Sequence, residues 1–185
     1  MAGEEAINEI AKWKAVTTTT STTIAAVHGT GPAAPRMREM ICSMGSTISG
    51  HVTASRQAKS MGILCNPRHP ALAAFPTESH TTWQWWELVS TPAKAQAARL
   101  NWTDHNHRPI VQVIDHAFRN DKLGVVFEFK VGSGKLMVCT LDLNSALPQR
   151  PVARQLRHSL QLYAASPSYA PTASIEAKQI SDLFA

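Results

Sequence analysis

The distribution of large apolar side chains is the feature that most limits how this chain can fold. Residues 1–60 contain no Leu, Phe or Tyr, although Leu is among the commonest residues of globular proteins. A segment without them has little apolar surface to bury, and burial has to offset roughly 1–2 kcal/mol of backbone entropy for each ordered residue. The composition therefore predicts that the packed part of the molecule begins near residue 61.

Residues 1–60 form a poorly patterned N-terminal stretch. They include a Thr-rich tract at residues 17–23 and the loop-like run His28-Gly-Thr-Gly-Pro32. Apolar residues at helical spacing occur only within residues 4–15. Two interpretations stay open: a poorly ordered tail with one short helix, or a segment that is not native reading frame, such as a frameshift or fusion scar. We accordingly predict two parts, residues 1–60 and an α/β accessory domain at residues 61–185.

Strand patterns dominate the first half of the predicted domain. A short apolar run at residues 61–65 is closed by the turn signal Asn66-Pro67, and residues 110–114 form a second strand candidate. Residues 123–131 alternate, so that Val125, Phe127, Phe129 and Val131 share one face. A glycine-containing loop, residues 132–134, then leads to a further strand pattern at residues 135–143. This arrangement predicts a β-hairpin.

Helical patterns follow the hairpin. Pro151 stands where a helix can start, and residues 152–165 carry an apolar stripe at helical spacing that is closed by Ser166-Pro167. The stripe consists of Val152, Leu156, Leu160 and Tyr163. A last helix is predicted from Ser174, a plausible N-cap. Strands followed by packing helices predict an α/β fold, namely a layered sheet with flanking helices.

The stretch from His69 to Glu87 is the most unusual part of the sequence. It places three of the five Trp residues, Trp83, Trp85 and Trp86, within four positions. Trp is a common core residue, but its flat ring also provides a surface on which sugar rings stack. The three side chains cannot all face one way in a helix or a strand. We expect at least two of them to be buried, and we take them, with Glu78 and His80 nearby, as the candidate carbohydrate contacts.

Residue patterns typical of catalysis or metal binding are weak. Glu78 and Glu87 would form a glycosidase pair only if their carboxyl groups stood about 5–9.5 Å apart, and their spacing does not require this. His105-Asn-His107 has no evident third metal ligand nearby, and the three Cys residues form no CxxC pair. The sequence therefore predicts no catalytic residue, no metal site and no cofactor.

Charge and hydropathy bear on partners and compartment. The net charge is +5, but the 18 Lys and Arg residues are scattered without a run of three, so no basic stripe is available to follow a phosphate backbone. No apolar segment is long enough to cross a bilayer. The first residues, MAGEEAINEIAKWKA, lack the apolar core of a secretory signal. These features predict no nucleic-acid partner, no membrane association and a cytoplasmic location for the chain as written.

Several motifs carry a resemblance to a known family. They are Gly62-Ile-Leu-Cys-Asn-Pro-Arg-His-Pro-Ala-Leu72, Phe75-Pro-Thr-Glu-Ser-His80, Trp83-Gln-Trp-Trp-Glu-Leu88, Pro109-Ile-Val-Gln-Val-Ile-Asp115, Gly132-Ser-Gly-Lys-Leu136 and Arg150-Pro-Val-Ala-Arg-Gln-Leu156. With them, residues 61–184 resemble the far C-terminal region of β-galactosidase-like proteins of glycoside hydrolase family 2. That resemblance implies a glutamine-amidotransferase-like, incompletely flavodoxin-like α/β layer that follows the catalytic barrel.

The resemblance implies a role in carbohydrate degradation without catalysis by this chain. A family 2 hydrolase needs a sugar-binding sandwich, an immunoglobulin-like domain and a barrel that holds both catalytic glutamates, and these do not fit in 185 residues. We therefore expect a non-catalytic accessory domain or truncated remnant of such a hydrolase. Its parent would be periplasmic or secreted, and its partners would be carbohydrate or the parent's catalytic domains. The alternatives are a stand-alone carbohydrate-binding module that uses Trp83, Trp85 and Trp86, and a small glycosidase that uses Glu78 and Glu87.

Overall fold

A computed structural model of the chain describes residues 22–29, 40–43, 62–89, 97–115, 118–176 and 179. Eight strands of one sheet lie in these ranges: β1 (Thr22–Gly29), β2 (Met40–Ser43), β3 (Gly62–Cys65), β4 (Ala98–Arg99), β5 (Val111–Ile114), β6 (Leu123–Val131), β7 (Gly134–Cys139) and β8 (Ser174–Ile175). Two α-helices accompany them, α1 (Trp83–Val89) and α2 (Pro151–Ala165), with short 3-10 helices at Pro70–Leu72 and Leu147–Gln149. The predicted α/β fold, a sheet with flanking helices, is confirmed.

Strand β6 is the centre of the sheet. The main strand order is β2-β1-β7-β6-β5-β3, and the short strands β4 and β8 also pair with β6. The described pairs are antiparallel except that β8 runs parallel to β6. Four strands, β4, β5, β7 and β8, thus pair with the segment whose apolar alternation is clearest in the sequence.

The predicted hairpin joins β6 to β7. Residues 130 and 135 are paired, as are Val131 and Gly134, so the connecting turn is Gly132-Ser133. Gly132 has a φ of +57°, a conformation that glycine adopts at little steric cost in tight hairpin turns. The hairpin is confirmed, but β7 ends at Cys139 rather than at the predicted Leu143.

The two faces of the sheet are covered by different elements. Helix α2 packs on one face, where the Tyr163 hydroxyl donates a hydrogen bond of 2.9 Å to Glu128 Oε2. On the other face Phe129 contacts the rings of Trp102 and His107. Because both faces are covered, Val125, Val126, Phe127 and Phe129 are all buried. Burial of each such side chain contributes about 1.5–3 kcal/mol to the stability of the fold.

Helix α2 also fastens the segment that precedes α1. Its predicted stripe is confirmed, with Leu156, Leu160 and Tyr163 buried and Val152 half-buried. The buried Ser159 hydroxyl donates to Ala71 O at 2.8 Å and accepts from Ala74 N at 3.1 Å. The 3-10 helix and the chain leading from it are therefore fixed against α2.

Two predicted boundaries are wrong, one near the C-terminal end of the described residues and one in the N-terminal stretch. The last helix does not begin at Ser174, because Ser174 and Ile175 form β8 and Lys130 N donates to Ala173 O at 2.7 Å. Gln179 is helical, and the rest of the predicted helix lies outside the described residues. The edge of β6 offers unpaired backbone groups there, and this long-range pairing prevails over a weak local helix pattern. The loop predicted from His28 is also wrong for His28 and Gly29, which belong to β1 and pair with β7.

The remaining predictions for the N-terminal stretch have different outcomes. The proposed helix at residues 4–15 and most of the Thr-rich tract lie outside the described residues, although Thr22 and Thr23 belong to β1. The division of the chain at residue 60 stays a prediction. Strand β1 nonetheless pairs with β7 over six residue pairs, so a segment poor in large apolar side chains still takes part in the sheet.

Candidate functional site

Trp85 anchors the aromatic segment in the core. Its side chain is fully buried, and its ring meets that of Phe75 edge-on, with centroids 5.2 Å apart. The indole Nε1–H donates to Thr77 Oγ1 at 2.7 Å, which satisfies the polar atom that burial would otherwise leave unpaired. Helix α1 is thereby held in one orientation by the middle of the Trp-rich sequence.

Helical spacing sends the other two tryptophans outward. Trp83 and Trp86 are three residues apart and lie on one side of α1, while Trp85 and Leu88 fill the core side. Trp83 is 86% exposed and Trp86 is 59% exposed, and their ring centroids are 6.2 Å apart at an interplanar angle of 69°. We call this pair the aromatic face.

The outcome for the Trp cluster is divided. The prediction that the three side chains cannot face one way is confirmed. The prediction that at least two are buried is wrong, because α1 is a short surface helix and only one of its sides meets the core. Trp85 therefore lies where solvent has no access and contributes to the aromatic face only by supporting α1.

The segment that enters α1 runs along the edge of β3. Cys65 N donates to Ser79 O at 3.0 Å, Ile63 N donates to Thr81 Oγ1 at 2.8 Å, and His80 forms a single bridge with Leu64. A side chain at Gly62, whose φ is +134°, would place its Cβ 2.7 Å from Thr81 Oγ1, so this close approach needs glycine. The predicted contact residues Glu78 and His80 are both exposed on this strip.

A charged group lies at the other end of α1. Arg150 Nε donates to Glu87 Oε1 at 2.7 Å, and its Nη1 donates to Asp142 Oδ2 at 3.1 Å and to Ser145 O at 3.0 Å. The Arg150 side chain is only 9% exposed, whereas Glu87 retains 25% exposure. We call Arg150, Glu87 and Asp142 the arginine cluster. It connects α1 to the turn before α2.

The arginine cluster holds Asp142 in its charged form. Burial alone would raise the pKa of Asp142, but hydrogen bonds from Ser145 and Asn144 and the charge of Arg150 outweigh it, so the pKa is lowered. Within the described residues, Arg150 Nη2 and Asn144 Oδ1 are buried without a hydrogen-bond partner. The sequence patterns indicated no role for Arg150 or Asp142. The one feature that could have indicated Arg150 is its position directly before Pro151, the proline at which α2 begins.

Other candidate groups do not assemble into a reactive centre. His105 Nδ1 lies 3.4 Å from Asp104 Oδ1, whereas His107 stacks on Phe129. Burial and the positive charge of Lys122 lower the pKa of His107, and the negative charge of Asp104 only partly opposes them. Burial raises the pKa of Cys139 to about 12, which keeps its thiol unreactive. Over the part of the chain that the structure describes, no three potential metal ligands come together.

The fold and the aromatic face define an α/β domain with an exposed aromatic surface site. The chain belongs to the family described as a domain of unknown function (DUF8487), whose family model matches residues 46–185. No curated protein matches the chain. Within the described residues, neither helix has the length and apolar character that crossing a membrane requires.

Proposed function

We propose that this chain is a non-catalytic accessory domain that binds carbohydrate through the aromatic face of Trp83 and Trp86. The observation that carries the proposal is the exposure of both rings on a helix that buried Trp85 holds in place. The resemblance to the C-terminal region of β-galactosidase-like hydrolases suggests that the ligand is a β-galactoside or a related glycan, and that the domain serves such a hydrolase.

The composition of the surroundings favours a sugar over a protein as the occupant. The electron-rich face of an indole attracts the C–H groups on one side of a pyranose ring, while the sugar's hydroxyls need polar partners. Exposed Glu78 and His80 precede α1, and partly exposed Glu87 follows Trp86. The centre of a protein interface is instead depleted of charged residues. Docking on a catalytic domain is therefore the second outcome to test.

The contacts of Glu87 argue against the glycosidase alternative. An acid/base pair needs one carboxyl group that is protonated before the reaction and a second that faces the scissile bond. Glu87 Oε1 instead accepts a hydrogen bond of 2.7 Å from the Arg150 guanidinium, so this oxygen is engaged in an ion pair within the protein. We therefore assign no catalytic step to Glu78 and Glu87.

The proposal predicts that Trp83→Ala and Trp86→Ala lose sugar affinity without losing the fold. Galacto-oligosaccharides and soluble galactan are the probes, titrated by calorimetry against the full chain. Each variant should bind about 5- to 30-fold more weakly, since stacking on a Trp contributes on the order of 1–2 kcal/mol. Melting temperatures should stay within about 2 °C of wild type, because both side chains are largely exposed.

Phe118→Ala is the matched control, since Phe118 is an exposed aromatic residue, 89% accessible, on the connection between β5 and β6. It should bind both probes as wild type does. Absence of sugar binding by the wild-type chain would reject the proposal. If the wild-type chain binds no sugar but associates with a separately supplied β-galactosidase-like catalytic domain, and Trp83→Ala and Trp86→Ala abolish that association, the aromatic face is a protein-docking surface.

A further inference from the structure

We infer that Glu87 is the hydrogen-bond acceptor for the sugar hydroxyls at this site, and that the arginine cluster restricts the ligand to uncharged sugars. This inference rests on the proposed function and specifies which carbohydrates the aromatic face accepts. It gives a role to a cluster of charged groups that a purely aromatic platform would not need.

Helix geometry places Glu87 beside the aromatic face. Trp83, Trp86 and Glu87 occupy positions i, i+3 and i+4 of α1, and side chains at these spacings are neighbours on one side of a helix. Trp83 and Trp86 are exposed and Glu87 is partly exposed. A pyranose ring stacked on one of the two indoles would therefore have the Glu87 carboxylate nearby as an acceptor for its hydroxyl groups.

Arg150 fixes the orientation of that carboxylate. Its Nε donates a hydrogen bond to Glu87 Oε1, and its Nη1 donates to Asp142 Oδ2 and to Ser145 O. Glu87 Oε2 has no hydrogen bond within the described residues. A carboxylate that is already oriented loses little side-chain entropy when a ligand binds, which favours affinity. Arg150 is thus a positioning residue, and Glu87 Oε2 is the atom that we assign to the sugar.

The sign of the charge determines which sugars fit. Arg150 contributes one positive charge, and Glu87 and Asp142 contribute two negative charges, so the arginine cluster carries a net charge of −1. Exposed Glu78, on the strip that leads into α1, is a further acidic residue. An acidic sugar would bring a like charge toward the partly exposed Glu87 carboxylate, and like charges at close range oppose binding. Neutral sugars meet no such repulsion.

The test compares neutral galacto-oligosaccharides with galacturonic acid oligomers of equal length, titrated against wild type and Glu87→Gln. Wild type should bind the neutral probe at least about 10-fold more tightly than the acidic one at low salt. Glu87→Gln should weaken the neutral probe by about 5- to 10-fold, because a neutral acceptor replaces a charged one. It should also reduce the preference for the neutral probe. Glu176→Gln, an exposed carboxylate beyond β8, should change neither value.

Glu87→Asp separates charge from position. It keeps the charge but withdraws the acceptor, so neutral affinity should fall while discrimination against the acidic probe persists. Thermal melts of each variant show whether α1 remains folded. If Trp83→Ala abolishes binding but Glu87→Gln binds both probes as wild type does, the inference fails and the proposed function stands. If the wild-type chain binds neither probe, both fail.

Discussion

At the scale of single residues, Trp83, Trp85 and Trp86 have similar sequence surroundings and very different roles. Local sequence shows that they diverge in direction, but only the packing of α1 against Phe75 decides which ring is buried. The partners of Arg150 were equally hidden from sequence reasoning, because Glu87 lies 63 positions away along the chain. Candidate residues could thus be named from the sequence, whereas their burial and ion pairs depend on long-range contacts.

This difference predicts opposite stability effects within one helix. Trp85→Ala should lower the free energy of unfolding by about 3–5 kcal/mol, because it opens a cavity beside Phe75 and leaves Thr77 without its donor. Trp83→Ala should change that free energy by no more than about 0.5 kcal/mol. Urea denaturation followed by far-ultraviolet circular dichroism measures both. Equal destabilisation by the two variants would contradict the assigned burial.

At the scale of elements, predictability followed local periodicity. Strand β6 and helix α2 were predicted because each carries a repeated apolar pattern over at least nine residues. Strand β8 has only two residues and exists because β6 presents a free edge far from it in sequence. Helix α1 has seven residues and three tryptophans, too short a pattern to distinguish a helix from a strand. Strand directions likewise depend on contacts that no local pattern encodes.

The hydrogen bond from Tyr163 to Glu128, which joins α2 to β6, lies at a carboxyl group whose ionisation should make the stability of the fold depend on pH. Burial raises the pKa of Glu128, although the Tyr163 hydrogen bond and the charge of Lys135 partly oppose this. The folded state therefore binds the proton more tightly than the unfolded state, so wild-type stability falls as pH rises through the folded-state pKa. Glu128→Gln keeps an acceptor for Tyr163 and does not ionise. Its stability relative to wild type should rise from about pH 4 toward neutrality.

Urea midpoints measured across this pH range test the prediction. Tyr163→Phe is the control, because it removes the hydroxyl but keeps the ring that packs against His69 and Tyr169. It should be less stable than wild type, by about 0.5–1.5 kcal/mol, for loss of one hydrogen bond. A relative stability of Glu128→Gln that instead falls as pH increases would show that the ionised carboxylate stabilises the fold.

At the scale of the whole molecule, the sheet carries a small helix, α1, whose outer side faces solvent. The buried side of α1 joins the core with Trp85 and Leu88, and its outer side carries the aromatic face and Glu87. Two-sided coverage of β6 and the contacts of α2 hold this arrangement in place. A preformed surface of this kind binds without a large conformational change. Sugar binding should therefore perturb α1 and leave the rest of the sheet as it is.

The indole N–H signals of the five Trp residues test this claim most directly. In a nitrogen-15 spectrum of the full chain titrated with galacto-oligosaccharide to about 10 mM, which saturates a site of millimolar affinity or better, the signals of Trp83 and Trp86 should shift together. The signals of Trp85 and Trp102, whose Nε1 atoms donate to Thr77 and to the Arg99 carbonyl, should stay in place. Single Trp→Phe variants assign each signal. Unmoved Trp83 and Trp86 signals at saturation would contradict the account.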